Sequence, residues 1–226
     1  MSGALIIVTG TGTGIGKTHI ARAILHAARD RSVLGYKPIE SGVVDSVGTT
    51  DGEWLARAST FHVKHRPELR LRAAISPHLA AEREGVALDW SSVARFVGEV
   101  RAQGVDVLVE LPGGLFTPLT ATARNVDVLA SLAPTATLLV APDRLGVLHD
   151  VGAALAGARH VGARLDAIAL IAPDVSDAST STNERELARF VDVPIVGTWP
   201  RATPEALAAH DTTMRVLYTY WLSRAR

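Results

Sequence analysis

Gly16-Lys17-Thr18 closes a glycine-rich run, Gly10-Thr11-Gly12-Thr13-Gly14-Ile15, that follows the apolar stretch Leu5-Ile6-Ile7-Val8. These residue types suit a polyphosphate. Glycines let the backbone curl so that several N–H groups aim at one centre. A helix starting there adds the positive end of its dipole. Lys17 would reach the β- and γ-phosphates, and the Thr18 hydroxyl would sit on Mg²⁺. Five residues separate Gly10 from Gly16 where the usual phosphate loop has four, and Thr11 stands where its first glycine would be. A buried strand before the loop and an apolar-periodic helix after it supply the context such a motif needs. The run reads as a nucleoside triphosphate site, the plain alternative being a ligand-free strand-to-helix turn.

The elements that must position these groups alternate along the chain. Apolar runs at 4–8, 33–36, 105–109, 137–141, 167–172 and 195–197 read as strands. They are rich in Val, Ile and Leu without polar alternation, as in a sheet buried on both faces. Helical patterns lie between them, at 17–29, about 52–58, 90–103, 150–160 and 183–190. Ser181 or Thr182 is a candidate cap for the last of these, with Glu184 in its first turn. Tyr218, Tyr220 and Trp221 suggest a further helix packed on the body. The alternation predicts an α/β fold, a single domain over 1–226, with an open, mainly parallel sheet flanked by helices on both faces. Ligands in such sheets bind at the carboxyl ends of the strands.

That rule turns sequence position into a site map. Glu110 directly follows Val-Asp-Val-Leu-Val, and Mg²⁺ nucleotide sites use such a hard oxygen ligand beside phosphate oxygens. Two readings of Asp51 stand, a metal ligand or a helix cap. Two stand for Lys37 as well. Fixed by Pro38 at a strand end, it could neutralise charge that builds during phosphoryl transfer, or pair with Glu40 or Asp45. Gly113-Gly114 could bring backbone N–H groups to an anion or simply make a turn. Ser76-Pro77-His78 is a candidate substrate loop. His62 and His65 lack a third ligand at useful spacing and read as surface residues.

Composition narrows the classes. The 226 residues carry 23 Lys+Arg against 23 Asp+Glu, so no global charge draws the chain to nucleic acid or anionic membrane. The absence of cysteine excludes disulfides, thiolate metal sites and cysteine nucleophiles, and suits a reducing compartment. No basic run precedes the first apolar stretch and no stretch is long enough to span a bilayer, so a cytoplasmic location is expected.

Several segments together resemble the dethiobiotin synthetases, P-loop NTPases that close the ureido ring in biotin synthesis. The family's Gly-Thr-x-Thr-x-x-Gly-Lys-Thr is matched by residues 10–18, extra residue included. Its Gly-Tyr-Lys-Pro-x-x-Ser-Gly is matched by residues 35–42, and its Ser-Pro-His by residues 76–78. Its Glu-Gly-Ala-Gly-Gly-x-Phe-Thr-Pro-Leu is echoed at 110–119, and its Leu-Gly pair by Leu145-Gly146. The resemblance implies that Lys17 and Lys37 contact phosphates and the reacting carbamate, and that Thr13 and Ser41 help hold the diamine. It implies Thr18, Asp51 and Glu110 around Mg²⁺. The nucleotide would be held by Thr13, Gly14, Ile15, Gly16, Lys17, Thr18, His19 and Glu110, with Pro173, Asp174 and Pro200 near its base. The implied substrates are ATP (other nucleoside triphosphates being possible), CO₂ or bicarbonate and 7,8-diaminononanoate. The implied assembly is a homodimer with the substrate tail close to the segment after Leu145-Gly146.

The chain departs from the family at instructive points. Gly12 and Gly14 stand where some relatives carry acids, and Leu111-Pro112 replaces the small Gly-Ala pair. Pro173 stands where relatives often place an adenine-reading asparagine, and proline has no side-chain donor or acceptor. The rival classes are a nucleotide-switched partitioning or assembly ATPase, an amidoligase and a small-molecule kinase. The first would carry an early lysine in the loop, where this chain has Thr9-Gly10-Thr11. The second would need borrowed ammonia chemistry, and the third an arginine-rich lid.

Overall fold

Apolar runs that the sequence leaves unbroken become the centre of the molecule. In a computed structural model, which describes residues 2–43, 48–87, 89–203, 206 and 212–223, they form a six-stranded sheet. Its strands are β1 (Leu5–Gly10), β2 (Val33–Tyr36), β5 (Asp106–Glu110), β6 (Ala136–Pro142), β7 (Ala167–Ile171) and β8 (Ile195–Trp199). Their order is β2-β5-β1-β6-β7-β8, and every pairing is parallel. Connections run left from β1 and then right, so the strand order reverses at β1. The glycine run therefore leaves the sheet at the crevice where such folds bind ligands.

Alternate residues of each strand serve two cores. Leu5, Ile7, Val107, Val109 and Leu139 face one, beneath α4 (Trp90–Ala102), α5 (Asn125–Leu132) and α6 (Val147–His160). Ile6, Val8, Leu108, Leu138 and Val140 face the other, beneath α1 (Lys17–Ala27), α2 (Asp51–Ala58) and α8 (Thr212–Ser223). Gly35 lets α2 lie close on β2, since a Cβ there would fall 2.5 Å from Leu25 Cδ1 and 2.9 Å from the Leu55 carbonyl oxygen. The C-terminal helix is held by polar contacts too. Buried Asp106 accepts from the Ala4 amide (2.8 Å), Arg31 Nε (3.0 Å) and the Tyr218 hydroxyl (2.8 Å). Met214, Tyr218 and Trp221 are buried against α1, as expected for Tyr218 and Trp221; the side chain of Tyr220 lies outside the described residues.

The six expected strands match within two residues. Three differences have physical causes. A second, two-stranded parallel sheet pairs β3 (Ile39–Ser41) with β4 (Leu69–Leu71). Three residues each, Ile-Glu-Ser and Leu-Arg-Leu, give too short a period to read. Helix α3 (Pro77–Glu84) is not among the expected helices, and it takes up Pro77 and His78 of the candidate substrate loop, although Pro77 at its first position and left-handed Gly85 at its end are recognised boundary signals. Finally, neither Ser181 nor Thr182 caps α7 (Asn183–Leu187) through its side chain. Ser181 sits at φ 70°, with its amide donating to buried Asp143 (2.8 Å), and Asn183 Nδ2 donates to the same carboxylate (2.7 Å). The turn is pinned from β6 rather than capped. Helix α7 also stops at Leu187 rather than 190, and α6 starts at Val147 rather than 150.

Candidate active site

The loop from β1 to α1 is built by its glycines and one lysine. Gly16 is the residue before α1, at φ 96°, where only glycine is unstrained; a Cβ there would also meet Ile171 at 3.2 Å. Thr11 N–H donates to the Val140 carbonyl (3.0 Å), which ties the loop to β6. Lys17, buried at the start of α1, curls back to donate from Nζ to the Gly12 carbonyl (2.6 Å). Burial lowers its pKa to about 8, an effect opposed by the Glu110 carboxylate and reinforced by Lys37. A lysine poised this way gains most from an arriving polyanion.

Beside the loop, three elements bring charges together. Lys37 lies between β2 and β3, Glu110 ends β5, and Asp51 opens α2. Lys37 Nζ donates to Glu110 Oε1 (2.8 Å) and to Asp51 Oδ2. The Thr18 hydroxyl donates to the same Glu110 oxygen (2.9 Å). Lys37 is 8% exposed and Glu110 1%. Burial opposes the charge on Lys37, but the two carboxylates outweigh it and hold the ammonium well above the usual lysine range. Among the described residues Lys37 pairs with Asp51 and Glu110 rather than with Glu40, and Asp45, the other expected partner, lies outside the described residues.

The helix-cap reading of Asp51 is excluded by α2 itself. Thr50 is the cap, its hydroxyl accepting from Glu53 N (3.2 Å) while Glu53 Oε2 accepts from Thr50 N (3.3 Å). This capping box satisfies the helix end. The Asp51 carboxylate is thereby free to turn toward Lys37. Glu40 is a further acid at this wall, read from sequence only as a pairing partner. Burial raises its pKa, against the pull of Lys37 and the Gly52 amide.

A cavity of about 670 Å³ runs from the loop across this cluster. Thr13, Gly14, Ile15, Gly16, Lys17 and Thr18 form one end; Ser41, Ala74, Ile75 and Ser76 form the other, with Lys37 and Asp51 between. Gly113 lines it in the left-handed conformation (φ 64°), but the Gly114 amide is engaged by Thr117 Oγ1 (2.8 Å) and does not face an anion. Leu111-Pro112 is accommodated: Leu111 is buried with its amide on the Val8 carbonyl (2.9 Å), and Asn125 Nδ2 holds the carbonyls of Pro112 (2.5 Å) and Gly114 (2.7 Å).

His19, Pro173, Asp174 and Pro200 do not line this cavity. Arg201 does, and the sequence offered no signal for it beyond its place after β8. Its Nε lies 3.0 Å from both the Ala172 carbonyl and Asp174 Oδ1, so it joins the cavity to the ends of β7 and β8. A second hollow, about 520 Å³, lies on the other side of the loop, between Gly10–Thr13, Phe116 and His149 of α6. His62 and His65 are exposed, on a separate hollow of about 330 Å³. No helix among the described residues is long and apolar enough to cross a membrane.

Can these residues hold Mg²⁺? Glu110 Oε2 is buried with no hydrogen-bond partner among the described residues, and it stands beside the Thr18 hydroxyl and Asp51. Hard oxygens of this kind suit Mg²⁺, which takes one or two carboxylates and completes its shell with water and phosphate oxygens. Among the described residues no group of three His, Cys, Asp or Glu forms an all-protein metal cage. The donor set fits a metal that arrives with a phosphate.

Comparison with known proteins agrees with the geometry. Residues 5–204 match the AAA domain family AAA_26. The chain is 38% identical over 217 residues to the ATP-dependent dethiobiotin synthetase BioD of Pseudomonas aeruginosa strain UCBPP-PA14, covering 90% of this chain and 93% of that protein. It is 35% identical over 203 residues to the same enzyme of Caulobacter sp. strain K31, covering 83% and 84%. Among solved structures it superposes on a ParA family ATPase from Chlorobium tepidum with a TM-score of 0.56 at 15% identity, covering 97% and 98% of the two chains. The septum site-determining protein MinD of Pyrococcus horikoshii gives 0.53 at 17% identity, covering 100% and 96%. The structural likenesses establish the P-loop fold. The sequence identities establish more, and the chain belongs to the family of ATP-dependent dethiobiotin synthetases, enzymes of the ligase class.

Proposed function

We propose that this enzyme closes the ureido ring of dethiobiotin from 7,8-diaminononanoate, CO₂ and ATP, acting as one domain over residues 1–226. The observation that carries the reading is the meeting of Lys37, Asp51, Glu110 and Thr18 beside the glycine loop, in a cavity that continues to Ser41 and Ser76. ATP would lie with its triphosphate on Thr13–Thr18, and its base toward Pro173, Asp174 and Pro200. Thr18, Asp51 and Glu110 would hold Mg²⁺, whose chemistry is to neutralise the phosphates. His19, next to Thr18, belongs to the nucleotide end.

One amine of the diamine takes up CO₂ as a carbamate, held by Thr13, Ser41 and Lys37. A carbamate oxygen attacks the γ-phosphorus, and the bond to the β-phosphate oxygen breaks, giving a carbamic–phosphoric anhydride and ADP. The second amine then attacks the carbonyl carbon and expels phosphate. Lys17 and Lys37 stabilise negative charge as it moves between these oxygens, and alignment does the rest. No protein nucleophile is needed.

The homodimer expected from the resemblance would cover Leu145, Leu148 and Val175, exposed apolar residues that follow the ends of β6 and β7. Leu148 directly precedes His149, which lines the second hollow, where the apolar tail of the substrate would lie. The test is phosphate release with Mg-ATP, bicarbonate and 7,8-diaminononanoate, omitting each in turn, with CTP and GTP in parallel. Release that requires both the diamine and bicarbonate is expected. Release indifferent to the diamine would overturn the reading and favour a switch-like ATPase.

A further inference from the structure

Ring closure has a requirement that the charged cluster does not meet. As the second amine forms its C–N bond and the anhydride's C–O bond breaks, the nitrogen must lose a proton. Lys17 and Lys37 are donors already engaged, to Gly12 and to the carboxylates. Asp51 and Glu110 pair with Lys37 and, on the reading above, hold Mg²⁺, while Glu40 is engaged by the Gly52 amide and Thr50. At the far end of the cavity stands a different pair. Ser76 lines the wall beside Ser41, and its Oγ lies 2.8 Å from His78 Nδ1.

Local structure fixes that pair. Ser76 is the residue before α3, and buried Pro77 occupies the first helical position, where its locked φ suits the helix. The 2.8 Å contact joins the two polar side chains across the proline. Ser76 is only partly buried on the cavity side, and His78 is partly exposed beyond it. With the neutral ring's proton on Nε2, Nδ1 accepts from the serine hydroxyl. Charged residues on the surrounding elements are Glu82, Arg83 and Glu84 of α3, Glu40 of β3 and Arg70 of β4.

We propose that Ser76 and His78 form a proton relay for the second amine. Ser76 Oγ accepts the amine proton while its own hydroxyl proton passes to His78 Nδ1. The imidazolium then releases the Nε2 proton to water, and the ring returns to its starting tautomer by exchange with solvent. Ser76 touches the substrate; His78 acts through it. This inference rests on the ring-closing reading above.

The experiment measures diamine- and bicarbonate-dependent phosphate release by wild type, His78→Asn, His78→Ala and Ser76→Ala, with thermal unfolding of each as a check on folding. Asparagine offers an acceptor near the place of Nδ1 but takes no proton at neutral pH. General acid–base groups contribute on the order of 10²–10⁴-fold, so kcat is expected to fall about 100-fold in His78→Asn while KM for ATP is unchanged. Added imidazole should restore part of the turnover of His78→Ala, and Ser76→Ala should lose turnover without responding to imidazole. Turnover by His78→Asn within about threefold of wild type, or His78→Ala indifferent to imidazole, would overturn the relay and leave the departing phosphate as the proton acceptor. If wild-type release does not need the diamine at all, the ring-closing reading fails first and takes the relay with it.

Discussion

Lys37→Met tests the centre of the site without any substrate. The substitution keeps the apolar stem and removes only the charge. In the native protein that charge faces two carboxylates of unequal burial: Glu110, 1% exposed and 2.8 Å away, and Asp51, whose side chain is 46% exposed. The exposed partner contributes little, less than about 1 kcal/mol. The buried one dominates, because without Lys37 the Glu110 carboxylate keeps, among the described residues, only the Thr18 hydroxyl as donor. Breaking a buried pair from one side costs roughly 3–5 kcal/mol, and we expect about 3 because the cavity admits water. For a chain of this size that lowers Tm by about 6–12 °C. Glu110→Gln in the Lys37→Met background should recover most of the loss, since neither charge then remains to be solvated. Millimolar Mg²⁺ should raise Tm more in Lys37→Met than in wild type, and EDTA should abolish the difference. Urea and thermal unfolding of the four proteins of this cycle supply the answer. A loss below about 1 kcal/mol in Lys37→Met, or no recovery in the double variant, would refute the claim that Glu110 depends on Lys37 for its charge.

Other expectations follow from single contacts. Lys17 titrates at about 8 when folded and near 10.5 when unfolded, so the folded protein gives up this proton first. Its penalty, about 3 kcal/mol at 1.4 kcal/mol per pK unit, is present below pH 8 and fades as pH rises from 8 to 10.5. Wild-type stability relative to Lys17→Met, measured by urea unfolding without nucleotide, should therefore rise across pH 8–10; a flat difference would contradict the lowered pKa. Tyr218→Phe removes a hydrogen bond to buried Asp106 and should cost about 2 kcal/mol, and a loss below 0.5 would show that α8 does not depend on it. Gly16→Ala forces a side chain into φ 96° and against Ile171, so affinity for a fluorescent ATP analogue should fall about 5- to 150-fold, by strain of roughly 1–3 kcal/mol. Unchanged affinity would mean that the loop re-forms without this conformation.

The phosphate loop, the parallel sheet and the placing of Lys37 and Glu110 at strand ends were all legible in the sequence. The reason is local: short apolar runs without alternation, rich in Val and Ile and bounded by turn residues, read as strands buried on both faces, and a parallel sheet gathers the residues after them at one edge. Family-like segments supplied Ser41 and Ser76 in the same way. What tertiary structure alone decided is which group each charge meets. Asp51 became available to Lys37 because Thr50 and Glu53 cap α2 between themselves, and the helix-cap reading of that aspartate could be set aside only by seeing both hydrogen bonds. Arg201 reaches the cavity because β8 lies beside β7, a pairing across some thirty residues that no local pattern encodes. The short β3–β4 sheet escaped for the opposite reason, since three-residue strands carry almost no periodic signal and exist because the chain around them holds them side by side. Composition and spacing determine the elements and the edge where they converge; distances between side chains from remote elements arise only when packing brings them together.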